Sequence, residues 1–158
     1  MKIDYVKLII SLVVCQLAGG IGSIFTARSV TTWYLALKKP SFNPPSWIFG
    51  PVWITLFVLM GVALYRVWHK GAATPGVKIA LAAFFVQLLF NVLWSLVFFG
   101  MRNPLLGLLD IVLLWILILA TLILFWQVDR AAGLLLAPYL LWVSFASLLN
   151  GALYLLNR

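Results

Sequence analysis

One histidine, one cysteine and three acidic residues are all that this chain offers to conventional catalysis. His69 falls in a connecting segment, and no His, Glu, Asp and Cys gather at metal-ligand spacing. No serine or cysteine has an evident histidine base to activate it. Iron ligation from inside the chain would fall to Cys15 or Met60, a poor donor set. A lone cysteine also excludes an intramolecular disulfide. What the chain has in excess is indole, with eight tryptophans in 158 residues. Conventional acid-base or covalent catalysis is therefore not expected, nor a required cofactor or a metal; what the indoles could offer is either packing or a stacking surface for a flat apolar ligand.

The tryptophans divide by depth. Trp33, Trp47, Trp68 and Trp126 lie near the ends of apolar runs, where an interfacial belt accounts for them. Trp53, Trp94, Trp115 and Trp142 lie deeper. Trp53 and Phe57 share a helical face, and so do Trp142, Ala146, Leu149 and Asn150, just after an expected kink at Pro138. Gln87, Asn91 and Ser95 recur at i, i+4 and i+8 beside Trp94. An unpaired amide in lipid is costly, so Asn91 and Asn150 should point inward. Two readings follow. The amides are interhelical glue contributing about 0.6–2 kcal/mol each, or Trp53, Trp94 and Trp142 line a cavity that a few amides help to orient. Side-chain types alone leave both open. Asp110 is the one ionisable residue within a span and by default a functional candidate; the structural alternatives are pairing with Arg102 or Asn103 or sitting protonated, and one acid without an intramembrane base makes a poor proton relay.

The elements that must position these residues are five apolar stretches, Val6–Phe25, Trp47–Trp68, Val77–Phe99, Pro104–Trp126 and Ala131–Leu155. Each has about 20 residues or more, enough at about 1.5 Å per residue to cross a hydrocarbon core of about 30 Å. A 65% hydrophobic composition and a mean hydropathy of +1.14 do not suit a water-soluble core. Spanning segments this long must be helices, since barrel strands are half as long and alternate. The expectation is an all-α, five-helix transmembrane bundle forming one domain over residues 1–158, multi-pass in a bacterial cell membrane. Its first helix should be uncleaved, because the apolar run passes Cys15 without a small-x-small signature. The net charge of +8 comes from bases between the spans. That pattern points to lipid head groups rather than nucleic acid. Six bases (Lys2, Lys7, Arg66, Lys70, Lys78, Arg130) oppose five (Arg28, Lys38, Lys39, Arg102, Arg158), which does not set orientation.

Three connections are short and enforce antiparallel neighbours. The first, about 26–46, is long and carries Arg28, Trp33-Tyr34, Lys38-Lys39-Pro40 and Pro44-Pro45. Its aromatic content argues against disorder. A short helix over Thr31–Leu37 capped by Thr31, stopped by Pro40, with Pro44-Pro45 opening the second span, would form an ordered lid across one mouth of the bundle. Gly19/Ser23 and Ala18/Gly22 give small-xxx-small spacing, allowing close helix approach within the bundle or across a dimer.

The run Trp33-Tyr34-x-x-Leu37-x-Lys39-Pro40-x-Phe42-x-Pro44-Pro45-x-Trp47-x-Phe49-x-Pro51-x-Trp53 resembles the hallmark segment of the TspO/MBR family, which includes the tryptophan-rich sensory proteins and the mitochondrial translocator protein. Asn91-x-x-Trp94-x-x-x-Phe98-Phe99 and Pro138-Tyr139-x-x-Trp142-x-x-Phe145-Ala146-x-x-Leu149-Asn150 extend the resemblance over essentially the whole chain. It implies a lidded cavity open to the loop side and a homodimer. It also implies binding of tetrapyrroles such as protoporphyrin IX and haem, for sensing or transport. Matching positions imply that Tyr34, Trp47, Trp53, Phe57, Asn91, Trp94, Ile111, Trp142, Ala146 and Leu149 line the cavity. Arg28, Lys38 and Lys39 would meet the ligand's propionates. Light-dependent porphyrin degradation through Trp53 and Trp142 is the enzymatic alternative, and a scaffold the third. Sterol binding belongs mainly to the mitochondrial branch, and Leu149-x4-Tyr154-x3-Arg158 fits its loose pattern as many membrane helices do.

Overall fold

The computed structural model describes residues 3–158, so Lys2, counted above among the bases, lies outside the described residues. Among the described residues, five helices are long and apolar enough to cross a membrane: α1 (Tyr5–Val30), α3 (Phe49–His69), α4 (Val77–Ser95), α5 (Pro104–Val128) and α6 (Arg130–Leu156). The short α2 (Trp33–Ala36) lies between the first two. Among the described residues there is no strand. The protein is a multi-pass integral membrane protein.

The helix starts follow from side-chain caps. Asp4, Asn103 and Asp129 each accept a hydrogen bond from the backbone N–H three residues on, at 3.1, 3.0 and 3.0 Å. Each satisfies one donor that the first helical turn leaves without a partner. Pro104 follows Asn103 at the first helical position, where its missing N–H costs nothing. Asp129 does more than cap. Arg66 of α3 donates to both its oxygens, at 3.1 and 3.0 Å, and Lys70 approaches at 3.4 Å. Desolvation works to raise its carboxyl pKa, but the Ala132 N–H, Arg66 and Lys70 outweigh it and hold the carboxyl below its ordinary range. This ion cluster ties the end of α3 to the α5–α6 turn.

Helix approach is set by small residues. A Cβ on Gly19 would sit 2.6 Å from the Phe57 ring, and one on Gly61 would sit 2.9 Å from the Leu12 backbone. Gly19 thus serves packing of α1 against α3, and Gly22 serves its packing against α4, where a Cβ would sit 3.0 Å from the Ser95 hydroxyl.

Two local features depart from the expected spans. First, α1 runs to Val30, so Arg28 sits on its last turn rather than in a loop. The helix α2 begins after Thr32, not Thr31, and Thr32 makes no side-chain cap. Second, α4 ends in a π-helical turn, Leu96–Gly100, closed by a 2.8 Å bond from the Met101 N–H to the Leu96 carbonyl. The wider turn lets consecutive residues Phe98 and Phe99 both face inward, where both are buried. Helix α6 continues through Pro138.

Candidate functional site

A cavity of about 390 Å³ lies within the half of the bundle covered by the α1–α3 connection. Four elements supply its aromatic wall: Tyr34 from α2, Trp53 and Phe57 from α3, Trp94 with Phe98 and Phe99 from the end of α4, and Trp142 from α6. Trp53 stacks on Phe57 at 5.7 Å and meets Tyr139 edge-on at 6.3 Å. Trp94 stacks on Phe98 at 5.2 Å, and Trp142 meets Phe49 edge-on at 5.9 Å. Each ring is held by another ring, so the wall is organised without a ligand.

The amides hold this wall in place. Asn91 donates to the Tyr139 hydroxyl at 2.8 Å, and that hydroxyl donates to Gln87 at 3.0 Å. Trp94 donates its indole N–H to Asn150 at 3.1 Å, and Asn150 donates to the Pro104 carbonyl at 2.8 Å. Asn91, Asn150 and Ala146 also face the cavity. Asn91, Trp94 and Asn150 are therefore glue and pocket at once, while Gln87 and Tyr139 lie behind the wall. Trp115 is glue alone, donating to Ser144 at 2.7 Å. The indole N–H of Trp142 is different: it is buried and has no hydrogen-bond partner.

Eight of the ten residues expected in the wall are there: Tyr34, Trp53, Phe57, Asn91, Trp94, Trp142, Ala146 and Leu149. Two are not. Trp47 is 73% exposed, because it sits on the 3-10 turn Ser46–Ile48 that precedes α3 and points away from the bundle. Ile111 is 2% exposed but packs in the central core, since its face of α5 meets other helices rather than the cavity. Asp110 pairs with neither Arg102 nor Asn103; its Oδ2 is buried without a partner.

The lid is ordered by contacts the sequence did not disclose. Trp33 and Tyr34 pack on Phe98 at 5.6 and 6.4 Å, and Phe42 reaches Phe145 at 6.4 Å. Tyr34 donates to Asn43 at 2.7 Å, and burial pushes its phenol up to about 12, which keeps the donor protonated. Asn157, just past α6, accepts from the Lys38 N–H and donates to the Lys38 carbonyl, both at 2.9 Å. Lys39 donates to the Leu35 and Leu37 carbonyls at 3.0 and 3.2 Å, and its ammonium lies 5.1 Å from the Tyr34 ring centre. Arg28, Lys38 and Lys39 all lie outside the cavity wall, and Arg28 and Lys38 are exposed.

A further wall was missed. Gln16, Gly19, Gly20, Gly22, Ser23 and Thr26 of α1 line the cavity, facing Gly50 and Ile54 of α3. The glycine cluster was the available signal, but it reads equally as helix packing. Gly20, Ser23, Gly50 and Ile54 are exposed. The cavity therefore meets the exterior sideways, along the α1–α3 seam. Gln16 spans that seam by donating to the Ile54 carbonyl at 3.2 Å.

The TspO/MBR family model matches residues 11–155. The chain belongs to the TspO/MBR family. Its relatives in this family include the "Tryptophan-rich protein TspO" of Chlorobaculum tepidum, 49% identical over 90% of both chains. The protein of the same name from Archaeoglobus fulgidus is 47% identical over 98% of this chain and 99% of its own. The human "Translocator protein" is 39% identical over 82% of this chain and 78% of its own.

Proposed function

We infer that this protein binds tetrapyrroles and other flat apolar ligands in the aromatic cavity, in the service of sensing or transport. The observation that carries the reading is the cavity itself: about 390 Å³, walled by Trp53, Trp94 and Trp142, with few polar groups. That volume lies within the usual range of small-molecule sites, about 300–1,000 Å³. A planar ligand would stack against these indoles and bury apolar area. The unpartnered Trp142 N–H supplies a donor to any acceptor atom the ligand brings, offsetting the cost of leaving that group unpaired. A macrocycle with two propionates would keep its acidic edge at the rim, where Arg28 and Lys38 are exposed. The "Translocator protein" name of the human relative is consistent with a transport role.

Protoporphyrin IX should quench the intrinsic fluorescence of the purified protein saturably. Trp142→Ala should weaken that binding by about 1–3 kcal/mol, the cost of removing an aromatic stacking partner. An unchanged titration in the Trp53→Ala/Trp142→Ala double variant would sink the cavity assignment. The same indoles support a second reading, light-driven porphyrin breakdown, since a stacked indole can exchange an electron with an excited macrocycle. Absorbance of the complex followed in dark and in light separates the two. Tryptophan-dependent bleaching indicates turnover, and a stable spectrum indicates binding alone.

A further inference from the structure

A second cavity, of about 180 Å³, lies at the opposite end of the bundle from the lid, between α1, α3 and α4. Val14, Leu64, Leu81 and Phe85 make it apolar, and Trp68 stands at its outer end. It is too small for a four-pyrrole ring system, but it suits a stretch of one alkyl chain. One polar group interrupts the lining. The Ser11 side chain is completely buried, and its hydroxyl has no hydrogen-bond partner, not even the helix carbonyl one turn back that serines commonly use. Leaving a hydroxyl unpaired in an apolar site is unfavourable, so something with an acceptor atom should complete it.

The charges above the cavity say what. On α1, Lys7 shares a face with Ile10, Ser11 and Val14; on α4, Lys78 shares a face with Leu81 and Phe85. Both lysines lie toward the membrane-surface end of their helices. The Lys7 ammonium sits 5.6 Å from the Trp68 ring centre and only loosely near Asp4, at 3.8 Å. Lys78 is exposed and has no carboxylate partner among the described residues. Four residues separate Lys7 from Ser11, about 6 Å along the helix axis. From the surface inward the order is thus two ammonium groups, a hydroxyl donor and an alkyl-sized slot. A glycerophospholipid has the matching order: phosphate, ester carbonyl, acyl chain.

We propose that this cavity is a binding site for an anionic glycerophospholipid, held with its phosphate between Lys7 and Lys78, an ester carbonyl on the Ser11 hydroxyl and one acyl chain between α1, α3 and α4. The site is separate from the aromatic cavity and does not depend on what that cavity binds.

The test compares phosphatidylglycerol with phosphatidylcholine of identical chains, titrated into delipidated full-length protein and counted by native mass spectrometry. Phosphatidylglycerol should bind one site more tightly. Each lysine near a membrane surface changes affinity for an anionic lipid by roughly five-fold. Lys7→Gln/Lys78→Gln should therefore abolish the preference while leaving weak binding of both lipids. Ile10→Trp, which places an indole over the slot from an exposed position, should remove the site for both lipids. An unchanged thermal unfolding midpoint in lipid-free detergent shows that either variant is folded. The proposal is overturned if the parent binds the two lipids equally, or if folded Ile10→Trp retains phosphatidylglycerol as the parent does.

Discussion

Gly19 and Gly20 are neighbours on α1 and both line the aromatic cavity, yet a methyl group would meet opposite surroundings at the two positions. At Gly20 an added Cβ has nothing within 4 Å. At Gly19 it lands 2.6 and 2.7 Å from two carbons of the Phe57 ring. Ordinary carbon contacts lie at about 3.5–4.0 Å, so the ring or the helix must yield by roughly 1 Å. The ring is not free to do so, because it is buried and stacked on Trp53. Both substitutions gain the same helix propensity, about 0.5–1 kcal/mol, which cancels in the comparison. What remains is the overpacking cost, about 1–3 kcal/mol against Gly19→Ala. For a chain of this size that is a melting point lower by roughly 2–4 °C per kcal/mol. Tryptophan fluorescence during heating in detergent measures it directly. Because Trp53 moves with Phe57, Gly19→Ala should also weaken porphyrin quenching, whereas Gly20→Ala should not. If Gly19→Ala melts with or above Gly20→Ala and binds porphyrin normally, the α1–α3 packing described here is wrong.

Two further outcomes are expected. Asn157→Ala removes both bonds to the Lys38 backbone, so porphyrin dissociation, followed by stopped-flow fluorescence, should quicken by up to about tenfold; an unchanged rate would show that the latch does not hold the lid. The Asp129 carboxyl is held low in the folded chain, so its contribution is complete above its unfolded value of about 4 and disappears as pH falls through the lower folded value. Melting points of the parent should therefore drop on acidification below about pH 4, and Asp129→Asn should be less stable at neutral pH by about 1–2 kcal/mol, the half-exposed Arg66 and Lys70 being screened by solvent, and lack that acid-dependent step.

The spans were legible because twenty apolar residues in a row have one physical solution in lipid, and the helix bounds moved by a few residues only where Arg28 joined α1 and the π-helical turn ended α4. Asn91 and Asn150 could be placed inward because an amide cannot stay unpaired in hydrocarbon. The cavity wall was legible less evenly. Trp53, Trp94 and Trp142 follow from depth and helical face. Trp47 and Ile111 were assigned by motif position, which does not reveal that a 3-10 turn aims one outward and that the other's face of α5 is used by core packing. The share of α1 in the wall was hidden because glycine contributes no side chain to recognise. The Asn157–Lys38 pairing joins residues 119 apart in sequence, with no local pattern to announce it.

The α1–α3 seam changes what concentration means for this protein. A ligand that enters between two helices from the hydrocarbon is drawn from a two-dimensional reservoir, at its mole fraction in the bilayer rather than its molarity in water. Each buried methylene favours partition into that reservoir by about 0.8 kcal/mol. Hydrophobic ligands are thus concentrated beside the seam before any contact with Trp53 or Trp142 is made. Apparent affinity for added ligand then falls as the amount of lipid rises, because excess membrane competes for the ligand. Two ligands with identical contacts in the wall would be ranked by how readily each leaves the lipid.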